Sequence, residues 1–211
     1  MNWKWLYDLI ESFGYELEDY RRGTPATDLA IWRAVRGYTV TSPSRIFGLL
    51  GAVEYLTTHK VPGAVVECGV WKGGSMFAAL RKLVELGDTS RPAYFFDLFE
   101  ASTEQEVKER AAETRYRPEL VTTIKGDVLA TLDAIDTGTI ALLRLDTNTY
   151  ETTKRELEVL WPRLAPGGVL ILDDYGHWPC FKRAVDEFFT AQGIKPWLHR
   201  IDYTGRIVVK A

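Results

Sequence analysis

The chain has 211 residues, of which 46% are hydrophobic and 26% are charged, and its formal net charge is −3. This composition is typical of a folded globular protein and excludes a disordered or fibrous one. The small negative charge gives no electrostatic reason to expect nucleic acid or an anionic membrane as a partner. A chain of this length buries about 70% of the surface that its unfolded form exposes, so one domain can fold without a disulfide.

The sequence gives no sign of export or of a membrane span. Cys68 and Cys180 are far apart and belong to no C-x-x-C pair, which favours reduced thiols. The N-terminal segment reaches Asp8 and Glu11 before any long apolar run, which argues against a signal peptide. No stretch is long and apolar enough to cross a bilayer. We therefore predict a cytoplasmic protein.

Residues 1–60 show helical patterning. Apolar residues recur at helical spacing in 5–13 and again in 46–56, after the helix-start signal at 41–44, and residues 21–25 between them favour a loop. We predict that residues 1–60 form a helical cap or lid within the same domain as a catalytic region at 61–211. The aromatic side chains of the first segment could instead pack in the core, stack on a ligand or form a homodimer contact: Trp3, Trp5, Tyr7, Tyr15 and Tyr20.

From residue 64 onward, strands alternate with helices. Apolar runs bounded by glycine or aspartate predict five strands, at 64–68, 93–96, 121–124, 140–143 and 168–172. Leu157, Leu160, Trp161 and Leu164 recur at helical spacing after the fourth strand. Continuous apolar strands that alternate with helices predict an α/β fold whose mostly parallel sheet is covered on both faces.

Two segments, 100–120 and 197–209, lie outside the regular alternation of parallel strands and helices. A turn at Thr204-Gly205 predicts a closing hairpin over 197–209, and hence an antiparallel sheet edge. Segment 100–120 is rich in charged residues, and we expect it to form an exposed helix and loop.

Acidic residues stand at or near the carboxyl end of every predicted strand: Glu67, Asp97, Asp127, Asp146 and the pair Asp173-Asp174. In open α/β sheets, ligands bind beyond these ends. A single aspartate there could simply cap a helix or turn. Six acids on one rim would repel one another unless cations lie among them. The crowding therefore predicts a ligand site that includes a cation.

The turn after the first strand is glycine-rich. It reads Glu67-Cys68-Gly69-Val70-Trp71-Lys72-Gly73-Gly74, which matches neither G-x-G-x-x-G nor a P-loop. Its glycines allow close approach of a ligand, and the next helix offers free N–H groups. Asp97 stands where an acid would bind the two hydroxyls of a ribose. The pattern favours a nucleoside cofactor, with plain structural roles as the alternative.

Four runs carry a resemblance to a known family: 38–43, 66–75, 143–153 and 166–178. Together they resemble the macrocin O-methyltransferase family over roughly residues 36–190. The resemblance implies a class I methyltransferase fold, a Rossmann-like three-layer sandwich around a seven-stranded sheet. It also implies S-adenosylmethionine as the methyl donor, magnesium as the metal, and a hydroxyl acceptor on a small molecule, often a sugar of a natural product.

The same resemblance implies cofactor roles for particular residues. The methionine end of the cofactor would lie near Glu67, Gly69 and Ser75. The ribose would lie at Asp97 and the adenine near Asp127.

It likewise implies a metal site at Asp146, Asp173 and Asp174. Carboxylate oxygens are hard ligands that suit Mg²⁺. An alcohol bound beside the metal would have a lowered pKa and would attack the sulfonium methyl more readily. If the cofactor and the acceptor are both held in place, the acceptor oxygen, the methyl group and the sulfur can lie in a line.

One position departs from the family pattern L-D-x-D-x-Y-E-S-T. Asn148 stands where the family has an aspartate that is a candidate general base, and a carboxamide cannot take up a proton. His177 could serve as the base, because its ordinary pKa lies near neutrality. Alternatively the metal acidifies the acceptor enough for water to accept its proton, or the chain binds the cofactor with impaired catalysis.

A catechol-type O-methyltransferase is the nearest competing interpretation. A phenol ionises more easily than an alcohol and would tolerate the loss of a base at Asn148. A lysine shortly after the first metal ligand would favour that class, and this chain has Thr149 there.

Overall fold

The computed structural model describes residues 4–13 and 19–211. Trp3, Tyr15 and the side chain of Tyr7 lie outside the described part of the chain, and so do the predictions made for them. The described strands are β1 (Ala64–Cys68), β2 (Ala93–Asp97), β3 (Val121–Lys125), β4 (Ile140–Leu145), β5 (Leu164–Leu172), β6 (His199–Arg200) and β7 (Arg206–Val209). The described helices are α1 (Lys4–Ser12), α2 (Ala26–Val35), α3 (Pro43–Thr58), α4 (Gly74–Glu85), α5 (Glu104–Ala112), α6 (Val128–Thr131), α7 (Tyr150–Leu160) and α8 (Pro179–Ala191).

The strands form one sheet in the order β3-β2-β1-β4-β5-β7-β6. Strands β1 to β5 run parallel, whereas β7 is antiparallel to both β5 and β6. The predicted seven-stranded, mostly parallel sheet with an antiparallel C-terminal hairpin is confirmed. The strand order reverses between β1 and β4, and such a reversal opens a crevice at the carboxyl ends of the strands.

Both faces of the sheet are covered, as the unbroken apolar strands predict. Successive residues of a strand point to opposite faces, so Val65 and Leu142 pack with α2–α5. Val66 and Leu143 pack with α6–α8 on the other face. The result is a three-layer α/β sandwich with one apolar core on each side.

Helix α3 belongs to the first core. Pro43 stands in its first turn, and the Ser42 hydroxyl caps it by accepting the Arg45 backbone N–H at 3.3 Å. The apolar residues of 46–56 are buried against the sheet. Helix α3 therefore carries Arg45, at its first turn, to the ligand-binding edge of the sheet.

The first helix is different. Trp5 is 64% exposed and Phe13 is 71% exposed, so these rings do not pack in the core. A lid over a pocket and a homodimer contact both stay predictions for this segment. No helix in the described ranges is long and apolar enough to cross a membrane.

One local expectation was wrong. Leu164 is the first residue of β5 and does not extend the preceding helix, because Pro162 lacks the N–H that would continue the ladder of α7. The helix and loop expected in segment 100–120 are confirmed and mostly exposed, although Val107 lies in the core and Tyr116 is 1% exposed. The Tyr116 hydroxyl donates to the Arg91 carbonyl at 2.7 Å and fixes the segment to the sheet.

Candidate active site

The carboxyl ends of β4 and β5 bring three acidic side chains together. One oxygen from each of Asp146, Asp173 and Asp174 lies within 4.8 Å of the others. Burial and the neighbouring carboxylates raise the pKa of Asp146 well above its usual value, although Arg144 opposes them. Burial and Asp173 likewise raise the pKa of Asp174. Burial and mutual repulsion thus both disfavour the charged forms of Asp146 and Asp174.

Two arginines lie among these acids, and sequence reasoning missed both. The Arg144 guanidinium, 3% exposed, contacts Glu67 and lies 3.0 Å from Asp146 Oδ2 and 2.6 Å from Asp173 Oδ1. The latter contact is an ion pair without hydrogen-bond alignment. Arg45 contacts Asp173 through Nη1. These two guanidiniums offset part of the repulsion among the rim acids, and a bound cation stays a prediction.

The residues nevertheless suit a dication. Three carboxylates, those of Glu67, Asp146 and Asp173, pair with the Arg144 and Arg45 guanidiniums. Asp174 adds a fourth carboxylate beside them, and Arg45 also pairs with Asp202 at 3.1 Å. Two positive charges do not balance these acids. Carboxylate oxygens at this spacing match the ligand preference of Mg²⁺, which binds through a few carboxylates and retains waters.

Glycine is required in the turn after β1. Gly69 has φ +86°, and a Cβ added there would overlap the Asp146 carbonyl. The turns after β1 and β4 are also joined by a hydrogen bond from the Asp146 N–H to the Cys68 carbonyl at 2.9 Å. This close approach places the glycine turn directly beside the acidic cluster.

Glu67 and Ser75 lie together beneath that turn. The Ser75 hydroxyl is 2.6 Å and 2.8 Å from the two carboxylate oxygens of Glu67, and both side chains are buried. Burial raises the pKa of Glu67, whereas Arg144 and Ser75 act to lower it. The structure thus brings together two of the residues that the sequence assigned to one end of the cofactor.

Asp97 and Asp127 lie further along the same rim. Asp97 accepts the backbone N–H groups of Trp71 at 2.8 Å and Phe99 at 2.7 Å. Asp127 is exposed and caps α6 by accepting the Leu129 N–H at 2.9 Å. From β3 to β4 are three strand spacings, or about 14 Å at ~4.8 Å each. The candidate residues therefore form an elongated row, with Asp127 remote from the acidic cluster.

The candidate base His177 and the departing residue Asn148 are both exposed. Asn148 has φ +66°, a left-handed conformation that asparagine tolerates better than most residues. The His177 N–H donates to the Asp174 carbonyl at 3.0 Å, and its ring packs edge-on against Trp178 with centroids 4.5 Å apart. Its Nδ1 lies 3.3 Å from the Tyr203 hydroxyl. Both residues follow an acidic ligand candidate closely along the chain.

The turn between β6 and β7 supports the Asp173-Asp174 loop, which the sequence did not reveal. The Thr204 hydroxyl donates to the Asp173 carbonyl at 2.8 Å. The Gly176 N–H donates to the Thr204 carbonyl at 2.9 Å. A Cβ added at Gly176 would overlap the Tyr203 carbonyl, so the two segments are in direct backbone contact.

This sheet order, with a glycine turn after β1 and acids along the strand ends, defines the class I O-methyltransferases, and the solved structures that resemble the chain are of that class. A family model described as "Macrocin-O-methyltransferase (TylF)" matches residues 15–122 and 102–210. The chain belongs to this family and is an S-adenosylmethionine-dependent O-methyltransferase.

Several named proteins are similar to the chain. It is 31% identical to 8-demethyl-8-(2,3-dimethoxy-alpha-L-rhamnosyl)-tetracenomycin-C 4'-O-methyltransferase of Streptomyces olivaceus, over 93% of this chain and 83% of that protein. It is 29% identical to demethyldecarbamoylnovobiocin O-methyltransferase of Streptomyces niveus, over 82% of this chain and 76% of that protein. The solved structure of the O-methyltransferase NovP is 28% identical, with a TM-score of 0.78 and 82% of each chain covered.

Proposed function

We propose that this enzyme methylates a hydroxyl group on a sugar moiety of a natural product, with Mg²⁺ or a similar dication held by Asp146, Asp173 and Asp174. The metal part of this proposal rests on the convergence of these three carboxylates, whose oxygens lie within 4.8 Å of one another. The sugar is suggested by the relative from S. olivaceus, whose name specifies a rhamnosyl-bearing substrate.

The residues along the rim have complementary roles in this proposal. Glu67, with Ser75, would bind the methionine end of the cofactor beside Gly69, while Asp97 would accept hydrogen bonds from the ribose. Asp127 would lie beside the adenine. An extended cofactor along this row would present its methyl group near the acidic cluster, since the methionine end lies beside β4.

The acceptor side of the site would be formed by the loop after Asp174 and the β6–β7 turn. A bound dication would supply positive charge that lowers the pKa of the acceptor hydroxyl. Asp146, Asp173 and Asp174 would orient that hydroxyl toward the methyl group. His177 is the proposed acceptor of its proton, since a carboxamide at Asn148 can only hydrogen-bond.

Calorimetry with S-adenosylhomocysteine and with Mg²⁺, followed by a methyl-transfer screen on methyl glycosides, tests the proposal. We expect both ligands to bind and EDTA to abolish transfer. Asp146→Asn should lose Mg²⁺ binding while it retains S-adenosylhomocysteine, and Asp133→Asn, an exposed residue outside the site, should change neither. Transfer that survives EDTA unchanged would remove the metal from the proposal.

A phenolic acceptor is the second candidate, and Asn148 is the observation that favours it. A catechol ionises without a strong base, so a site that lacks the family aspartate could still methylate it. Parallel rates on catechol and on a methyl glycoside distinguish the two. Absence of labelled methyl transfer to either, in a single turnover with bound S-adenosylmethionine, would instead indicate a cofactor-binding protein with impaired catalysis.

A further inference from the structure

Arg144 is the one described residue whose side chain contacts carboxylates from both halves of the site. Its Nη1 contacts Glu67 on the cofactor side. Its Nη2 lies 3.0 Å from Asp146 and 2.6 Å from Asp173 on the metal side. A planar guanidinium presents two separate Nη atoms, one to each side, whereas an ammonium has a single nitrogen.

The surroundings of Arg144 hold its guanidinium in one place. Its Nη2 donates to the Thr41 hydroxyl at 3.0 Å, and its Nη1 lies 3.4 Å from the Ser75 hydroxyl. Thr41 precedes α3, so the contact ties the helical N-terminal region to β4. The pKa of Arg144 stays well above its usual value because Asp173, Glu67 and Asp146 outweigh its burial.

The location of Arg144 is unusual for a charged residue. It lies within β4 between Leu143 and Leu145, in a strand whose residues are all buried. Burial of an unpaired charge would cost several kcal/mol, and this fold avoids that cost only by bringing acids from β1, β4 and β5 to the guanidinium.

We propose that Arg144 is a positioning residue that fixes the Glu67 carboxylate for the cofactor and the Asp146 and Asp173 carboxylates for the metal. The inference rests on the proposed function, because it assigns those two ligands to the two sides of Arg144. Its consequence is that one residue, which acts through the carboxylates assigned to each ligand, sets the affinity for both.

Arg144→Lys tests the positioning role. It retains the positive charge but lacks the two Nη atoms that contact Glu67 on one side and Asp146 and Asp173 on the other. We expect the Kd for S-adenosylhomocysteine, measured by calorimetry, and the Kd for Mn²⁺, measured by electron paramagnetic resonance, each to rise about tenfold. Arg91→Lys is the matched control. Arg91 is also a buried arginine, but it binds the Val61 and Gly63 carbonyls at the opposite end of the strands, so both affinities should stay unchanged.

A second pair of variants covers the case in which Arg144→Lys does not fold. Thr41→Val keeps the shape of the side chain but removes the acceptor for Arg144 Nη2, and should weaken both ligands about threefold. Thr41→Ser keeps the hydroxyl and should bind both as the unmodified protein does. Normal affinities in Thr41→Val, or in a folded Arg144→Lys, would overturn the positioning role alone. Failure of the unmodified protein to bind S-adenosylhomocysteine would overturn the proposed function itself.

Discussion

Asn148 occupies a strained backbone position that suits its side chain. Its φ of +66° is accessible to asparagine and aspartate at lower cost than to most residues. Asn148→Asp should therefore fold normally, and it would restore a carboxylate at the position where the family has one. We expect turnover with a glycoside acceptor to rise clearly, with S-adenosylhomocysteine affinity unchanged. Equal rates in the two proteins would reject the idea that a base was lost at this position.

The role of His177 as proton acceptor can be tested by a single substitution. Its ring packs on Trp178 and approaches the Tyr203 hydroxyl, so removal leaves the backbone contacts of the loop in place. His177→Ala should lower turnover by more than about tenfold if the imidazole accepts the proton. The affinity for S-adenosylhomocysteine should not change, because Glu67 and Asp97, which are proposed to bind the cofactor, lie at the ends of β1 and β2. Near-normal turnover would leave the histidine with a packing role only.

Glu156 is a buried acid outside the row of site residues. It is fully buried on α7, and neither of its carboxyl oxygens has an aligned hydrogen-bond partner, although the Thr147 hydroxyl and the Cys68 thiol lie close. Burial raises its pKa to about 8. The Cys68 thiol gives Glu156 no charged partner, because burial raises the pKa of that thiol as well and keeps it neutral. Glu156 is therefore protonated in the folded protein at neutral pH.

This shift predicts how stability depends on pH. Between about pH 4.5 and pH 8 the unfolded chain releases the Glu156 proton while the folded protein keeps it, so stability falls as pH rises and levels off above the folded pKa. Glu156→Gln removes this dependence, and at pH 8 the variant should be more stable by about 1–3 kcal/mol. Urea denaturation at pH 5 and pH 8 measures the free energy of unfolding of both proteins. Glu158→Gln, on the exposed side of the same helix, should follow the unmodified protein; an identical pH dependence in Glu156→Gln would contradict the shift.

The acids of the site could be predicted from the sequence, whereas their partners could not. Asp173 follows an apolar run directly and Asp146 follows one closely, so the local pattern places both at a strand end. Arg144 contacts Thr41 across 103 residues of chain, and Arg45 contacts Asp173 across 128. Such pairs depend on how α3 and the strands pack, which no local pattern encodes. A charged residue within the apolar run of β4 was the one available signal.

At the scale of elements, the β6–β7 turn and the loop after β5 act as one unit. Gly176 contacts the Tyr203 carbonyl so closely that any side chain would separate the two segments. Gly176→Ala should therefore displace the loop that carries Asp173 and Asp174. We expect a Kd for Mn²⁺ raised severalfold and a lower Tm, measured by electron paramagnetic resonance and by thermal denaturation.

Helix α3 provides the control for this glycine substitution. Gly51 lies inside the helix, and a Cβ added there meets nothing within 4 Å. Gly51→Ala should stabilise the helix by up to about 1 kcal/mol and leave metal affinity unchanged. Unchanged Mn²⁺ affinity in Gly176→Ala would show that the turn does not support the metal loop.

Elements were predicted best where periodicity and boundary signals agree. The five parallel strands are apolar runs bounded by glycine or aspartate, and the structure confirms all five, although β5 begins four residues earlier than predicted. Leu164 fits the helical spacing of α7 by coincidence, because β5 begins there and also contributes apolar residues to the core. Tyr116 is buried within a charged segment because its hydroxyl finds the Arg91 carbonyl, a tertiary contact with no local signature.

At the scale of the whole molecule, the sheet separates the two proposed ligands along one edge. The residues proposed to bind the cofactor run from β3 to β1, and the acidic cluster lies at β4 and β5. The two sites are therefore adjacent but use mostly different side chains. Each ligand should stabilise the folded protein on its own, since the unfolded chain has neither site.

This separation predicts two independent effects on thermal stability. A ligand at one hundred times its Kd stabilises a protein by about 2.7 kcal/mol, which corresponds to a Tm increase of about 5–10 °C for a chain of this length. S-adenosylhomocysteine and Mg²⁺ should each raise the Tm in differential scanning fluorimetry. Asp146→Asn should lose the Mg²⁺ effect and keep the S-adenosylhomocysteine effect, whereas Asp97→Asn should do the reverse. If Asp146→Asn lost both effects to the same extent, the two ligands would share one site, and the assignment of residues along the rim would be wrong.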